Sequence, residues 1–178
     1  MLFHRCKLDG VYLIEPTRFE DGRGFFASSF SLREFEKRNL TGLFVENNIA
    51  YNQRRGTIRG LHYQAAPYGQ AKLVRCTSGA IFDVAVDLRV NSPTYAQWVG
   101  HTLSFENHLL MYLPGDVAHG YQTLEDHTEV FYEVSEFYTP EASKGVRWND
   151  PAFGIDWPIE DNLIILDRDS SYPDFGVE

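Results

Sequence analysis

Short apolar or alternating runs follow one another along most of the chain, at 11–14, 25–30, 43–51, 57–64, 71–77, 80–90, 98–104, 108–113, 119–123 and 129–134. Turn residues separate them, among them Pro16, Asp21-Gly22-Arg23-Gly24, Gly56, Pro67 and Ser78-Gly79. The run over 80–90 shows the clearest period of two. Phe82, Val84, Val86 and Leu88 fall on one face, and Ile81, Asp83, Ala85 and Asp87 on the other. Short strands with close turn signals predict an all-β domain, a sandwich or barrel closed or nearly so. One helix is expected after Ser31-Leu32-Arg33-Glu34, which has the capping-box form, with Leu32, Phe35 and Leu40 as its apolar side before Thr41-Gly42. The C-terminal stretch, broken by Pro151, Pro158 and Pro173, reads as loops that Trp148, Phe153 and Trp157 pin onto a sheet. No repeat or linker divides the 178 residues, so 1–178 is expected to be one domain.

Composition sharpens this in three places. Sixteen basic against twenty-five acidic residues leave a net charge of −9, which argues against a nucleic-acid partner. No run of ~18 apolar residues exists, so no membrane-spanning helix is expected. The N-terminus lacks an apolar signal core, and two cysteines, Cys6 and Cys76, are no disulfide framework. A reducing cytoplasm is therefore the expected compartment, with both thiols structural. The aromatic share of 15% fits a β-rich fold or a ring-lined pocket.

Several polar side chains sit inside strand-like runs. In Arg59-Gly60-Leu61-His62-Tyr63-Gln64, strict alternation puts Arg59 with Leu61 and opposes them to Gly60, His62 and Gln64. Lys72 shares a face with Val74, and Tyr132 with Val130. Converging in a barrel mouth with the Asp83/Asp87 row, such a set suits proton transfer. His exchanges protons near neutral pH, Tyr gives and retakes one, and a buried Lys stabilises an oxyanion. Spacing alone equally allows a satisfied structural His, a solvated Lys, a packing Tyr and surface aspartates. His62 and His119 are two imidazoles in one barrel, yet no HxH pair exists, so no metal is expected.

The same segments resemble the dTDP-4-dehydrorhamnose 3,5-epimerase family, a branch of the cupins. The likeness runs from about Val11 to Phe175. It is carried by Phe19-Glu20-Asp21-Gly22-Arg23-Gly24-Phe25-Phe26, Arg59-Gly60-Leu61-His62-Tyr63-Gln64, Lys72-Leu73-Val74-Arg75 and Asp83-Val84-Ala85-Val86-Asp87-Leu88-Arg89. Ser92-Pro93-Thr94, Pro114-Gly115-Asp116-Val117-Ala118-His119-Gly120 and Trp148-Asn149-Asp150-Pro151 complete it. The resemblance implies an antiparallel jelly roll, a homodimer with exchanged strands, and epimerisation without metal or cofactor. The implied substrate is a nucleoside diphosphate 4-keto-6-deoxyhexose, dTDP-linked.

Position by position, the resemblance makes His62 the base, Tyr132 the acid and Lys72 the cation beside the C4 oxygen. Asp169 orients and charge-balances the base, and Asp83 is a second acidic candidate. Arg23, Arg59 and Arg168 (usually Lys in the family) match positions that grip the diphosphate. His119 reaches the sugar or its phosphate, and Tyr138 and Phe19 contact the nucleotide base. This chain departs from the family at Ser28, where Glu is common, and at Glu46-Asn47-Asn48, where Gln-Asp-Asn is common. It departs again at Ala50 and Asn52, usually serines, and near Ser143, usually close to a Glu. Ser28, Glu46 and Asn48 are accordingly expected to contact substrate, with base and sugar recognition altered there and proton transfer left intact. The rival readings are an epimerase for another nucleotide-linked deoxysugar, a non-catalytic sugar-nucleotide-binding cupin and a metal-dependent cupin oxidoreductase.

Overall fold

The computed structural model describes residues 1–176. Six strands form one sheet in the order β1 (Leu2–Arg5), β2 (Tyr12–Glu15), β10 (Leu110–Leu113), β7 (Lys72–Ser78), β12 (Thr128–Val134) and β5 (Glu46–Asn52). Five form the other, in the order β13 (Ser143–Gly145), β6 (Ile58–Gln64), β11 (Val117–Thr123), β8 (Ala80–Asp87) and β9 (Trp98–Ser104). Strands β3 (Phe19–Asp21) and β4 (Gly24–Phe26) make a separate hairpin around Gly22-Arg23. Neighbouring strands pair antiparallel, and the two large sheets face each other as a jelly roll.

Alternation explains how one strand serves two layers. On β8, Ile81 and Ala85 point between the sheets, where they meet Val74, Met111, Leu113, Val130, Val117 and Tyr121. Val84 and Val86 point outward with Ile58, Leu61 and Ala118, under a lid of Val146, Phe153 and Trp157. The C-terminal stretch is thus pinned by aromatics, as its composition predicts. Asp150 fastens it further, its two oxygens accepting the N–H groups of Ala152 at 2.9 Å and Phe175 at 2.7 Å. On the outside of the six-stranded sheet, Tyr12, Ile14, Leu73 and Tyr112 are covered by Phe35 of the short helix α1 (Leu32–Glu36). Phe35 is completely buried and meets Phe3, Phe30, Phe44 and Tyr112 edge-on. The capping box expected there does not close. Ser31 makes no side-chain cap bond, and Glu34 is drawn instead to Lys37 and Arg38.

Two expectations about faces need correction. Asp87 does not reach the barrel mouth. Fully buried, it accepts bonds from Ser92 Oγ at 2.5 Å, Thr94 Oγ1 at 2.6 Å and Arg89 Nε at 2.8 Å, and so braces the turn after β8. Burial raises a carboxyl's pKa, but these bonds outweigh it and hold Asp87 well below the usual range. The second correction concerns β6. Its register against β11 pairs His62 with His119 but Arg59 with Tyr121, so β6 carries one extra residue between them. This bulge reverses the alternation. Ile58 and Leu61 both pack outward, while Arg59 and His62 both turn inward.

Gly60 makes the bulge possible. Its φ is +124°, and a Cβ there would lie 2.5 Å from Gly120 Cα and 2.8 Å from the His119 carbonyl oxygen. Both obstacles are backbone and cannot step aside. Positive φ costs about 1–3 kcal/mol in a residue with a Cβ, and overpacking adds a similar amount. Gly60→Ala is therefore expected to lower stability by roughly 2–5 kcal/mol, read as a fall in Tm by calorimetry. An unchanged Tm would show that the bulge does not need glycine.

Candidate active site

A cleft of about 330 Å3 opens between the sheets, lined by Arg59, His62, Lys72, His119, Tyr132, Tyr138, Arg168 and Asp169 among others. His62 and His119 come from adjacent strands of one sheet. Lys72 and Tyr132 come from adjacent strands of the other, so imidazole and phenol face each other across the barrel. Asp169 and Arg168 arrive from far along the chain on the short helix α2 (Asp167–Ser170), which follows the parallel bridge between Thr57 and Ile164.

Each imidazole has its own carboxylate. His62 Nε2 lies 2.7 Å from Asp169 Oδ1, and His119 Nε2 lies 2.7 Å from Asp83 Oδ1. The unpaired N–H that the bulge leaves on Gly60 donates to the other Asp169 oxygen at 3.1 Å. Burial would lift the Asp169 carboxyl, but the bonds from His62, Gly60 and Arg168 prevail and keep it below its ordinary value. A carboxylate that stays charged holds a proton on Nε2 and leaves the lone pair on Nδ1. Asp83 is completely buried, not a surface charge, and its Oδ2 has no hydrogen-bond partner among the described residues. Among the described residues, no three His, Cys, Asp or Glu side chains cluster as a metal-holding set.

The other ionisable groups are tuned mostly by desolvation. Lys72 is buried, its Nζ 3.5 Å from the His62 carbonyl oxygen. Burial lowers its pKa from 10.5 to about 8, with Asp83 partly opposing the fall. Burial raises Tyr132; Arg59 pulls the other way and Glu46 adds to the rise. The phenol therefore stays protonated at neutral pH. Tyr121 is pushed up to about 12 by burial, against Asn52 and Arg59.

Residues not expected to contact substrate complete the cleft: Tyr63, Gln70, Tyr121 and Leu166, with Gln64, which alternation puts on the His62 face. Asn52, one of the departures from the family pattern, accepts a 2.8 Å bond from Arg59 Nε and so fixes its guanidinium. Ala50 and Ser143, two more, lie on the wall. A buried, strand-borne Asn facing an Arg is the signal that would have found Asn52.

Not every expected residue is here. Asp83 stands behind His119 rather than on the wall, and Asn48 lies opposite Tyr132 on β5, with Glu46 farther along that strand. Phe19, Arg23 and Ser28 are outside the cleft altogether. The hairpin that carries the first two is exposed, with Phe19 at 65% and Phe26 at 71% of their full accessibility.

A family model described as dTDP-4-dehydrorhamnose 3,5-epimerase matches residues 5–176. The chain belongs to this family of cupin-type isomerases. It is 43% identical over 173 residues to dTDP-4-dehydrorhamnose 3,5-epimerase of Sinorhizobium fredii, covering 97% of this chain and 89% of that one. The solved structure of the Elizabethkingia anophelis enzyme of that name superposes with a TM-score of 0.95 at 40% identity, covering 98% and 96% of the two chains. The Legionella pneumophila dTDP-6-deoxy-D-glucose-3,5-epimerase, solved in complex with dTDP-4-keto-L-rhamnose, gives 0.88 at 37% identity, covering 94% and 89%. No helix among the described residues is long and apolar enough to cross a membrane.

Proposed function

We propose that this chain epimerises C3 and C5 of dTDP-4-dehydro-6-deoxy-D-glucose, giving dTDP-4-dehydro-L-rhamnose. The observation that carries this reading is the cleft itself: His62 paired with Asp169 on one sheet, Tyr132 and Lys72 on the other. The C4 ketone acidifies the hydrogens on C3 and C5. His62 Nδ1 removes one, the electron pair passes to the C4 oxygen as an enolate, and Lys72 balances the charge. Tyr132 then donates its proton to the carbon from the opposite face, which inverts the centre. Asp169 keeps the proton on Nε2 and steadies the imidazolium. Asp83 holds His119 toward the sugar and diphosphate, and Arg59 and Arg168 take the diphosphate, for which planar guanidinium suits better than ammonium. Tyr138, at the cleft rim, stacks on the nucleotide base. No metal or cofactor has a step in this scheme.

The exposed hairpin finds a place in the same proposal. Its three exposed rings, Phe19, Phe25 and Phe26, and the exposed Arg23, paired with its neighbour Asp21, suit an arm that crosses into a second subunit's cleft, bringing Phe19 to the base, Arg23 to the diphosphate and Ser28 near the sugar. Glu46 and Asn48, beside Tyr132, tune sugar recognition. We therefore propose a homodimer with exchanged strands, built from one domain over 1–178 and working in the cytoplasm, where the unpaired thiols of Cys6 and Cys76 are stable.

Solvent deuterium is expected to enter both C3 and C5 when the enzyme turns over in heavy water. Label at neither centre ends the proposal, and label at one centre only reduces it to a mono-epimerase. Tyr132→Phe separates the two halves of the reaction. Removal of the proton needs only His62, so exchange should persist while inverted product falls about 10²–10⁴-fold, as resolved by NMR of the sugar. Equal loss of exchange and inversion would remove Tyr132 from the donor role.

A further inference from the structure

His62 Nε2 is approached from two sides. Asp169 Oδ1 lies 2.7 Å away, and Arg168 Nη2 lies 3.1 Å away. The same guanidinium sends its Nε to the same Asp169 oxygen, at 3.2 Å. An imidazole nitrogen has one in-plane position, filled by a proton or by a lone pair. With the proton present, Nε2 donates to Asp169 and the Arg168 N–H faces another N–H. With the proton absent, Arg168 donates to Nε2 and the carboxylate oxygen faces a lone pair. Neither state satisfies both contacts. The guanidinium also opposes the positive charge His62 takes on when it accepts a proton at Nδ1.

Among the described residues, no other neighbour relieves this conflict. Tyr172 meets the ring edge-on at 6.4 Å between centroids, and Lys72 reaches the backbone carbonyl of His62, not the ring. His119, the cross-strand partner, is held by Asp83. Tyr132, Tyr138 and Arg59 line the cleft around the imidazole without a bond to it. Arg168 itself has room to leave, because its side chain is 57% exposed where it borders the cleft.

We propose that Arg168 is a positioning residue that couples diphosphate binding to the readiness of His62. In the free site its guanidinium divides the His62–Asp169 pair. A diphosphate offers that guanidinium several anionic oxygens and a bidentate geometry that the shared Asp169 oxygen cannot match. Drawn away, Arg168 releases Nε2 to Asp169 and removes the cation that opposed the imidazolium. The substrate's own diphosphate thus arms the base that acts on its sugar. This rests on the proposed epimerase reading and adds to it a specificity in turnover: a sugar without its diphosphate meets an unarmed base.

The test uses the whole enzyme and a truncated substrate, free 4-keto-6-deoxyglucose, with solvent deuterium entry as readout and inorganic pyrophosphate supplied separately. In wild type, pyrophosphate should accelerate exchange about tenfold or more, in turnover rather than KM. Arg168→Gln should exchange the truncated sugar faster than wild type without pyrophosphate, and gain less than about twofold from it. Imidazole ¹⁵N shifts provide a second readout, independent of activity. Pyrophosphate should increase the Nε2–H share of His62 in wild type, and Arg168→Gln should show that share already in the free state. Equal acceleration of both proteins, a slower Arg168→Gln, or unchanged nitrogen shifts would each overturn the coupling. Absence of exchange with the complete dTDP-linked sugar would instead defeat the epimerase reading, and the nitrogen shifts would still test Arg168.

Discussion

Replacing His62 by Asn is expected to abolish deuterium entry at C3 and C5, by about 10³-fold or more, while leaving the fold in place. The size of the effect follows from what the side chain does and what it does not hold up. His62 is only partly buried, so the cleft loses little packing when it shrinks to an amide. Asn keeps a polar group near Asp169, whose carboxylate still has the Gly60 N–H and Arg168 as partners. What disappears is the imidazole that faces Tyr132 across the cleft and takes the proton from carbon. Far-side donation by Tyr132 has nothing to act on until an enolate exists, so exchange and inversion should fall together, unlike in Tyr132→Phe. Circular dichroism and Tm should match wild type. Exchange that survives at either centre would mean that another group, with His119 the first to examine, serves that carbon.

How much of this was legible in the chain depends on the range of the forces involved. The run over 80–90 could be read because side-chain alternation is local, and Val84 and Val86 do face away from Ile81 and Ala85. The same rule failed over 57–64, where it separated Arg59 from His62. Alternation assumes regular pairing, and the extra residue in β6 is a fact about its partner β11. Gly60 was the visible sign, since glycine inside a strand often marks a bulge or a close backbone approach. The buried aspartates show a second limit. Asp83 and Asp87 alternate as surface charges would, and only their partners His119, Arg89, Ser92 and Thr94 make burial tolerable. Asp169 lies 107 residues from His62, so no spacing could pair them and the family pattern had to. The edge strands β1 and β13 went unread because Leu2–Arg5 is mostly exposed and Ser143–Gly145 carries no apolar side chain, so neither presents a hydrophobic pattern.

Lys72 gives the second large effect, and its pH dependence has a definite sign. The ammonium can stabilise an enolate only while it keeps its proton, and burial brings its pKa from 10.5 down to about 8. Near pH 7 about nine-tenths of the molecules carry that charge. Turnover should therefore fall as pH rises through about 8, well before an ordinary lysine would titrate. Lys72→Met should lose about 10²–10³-fold in turnover, the usual cost of one oxyanion donor, and should lose this alkaline limb with it. Stability should move the other way. A folded pKa below the unfolded one means the native state binds the proton less tightly, so the charge destabilises the fold below about pH 8. That penalty fades as pH climbs toward the unfolded value of 10.5. Lys72→Met is thus expected to be more stable than wild type at pH 7, by roughly 1–3 kcal/mol, with the gap closing in alkali. Thermal unfolding of both proteins from pH 7 to 10 measures this. A less stable variant would mean that Lys72 is held by Asp83 more strongly than burial disfavours it, and the cation would then belong to the scaffold as much as to the reaction.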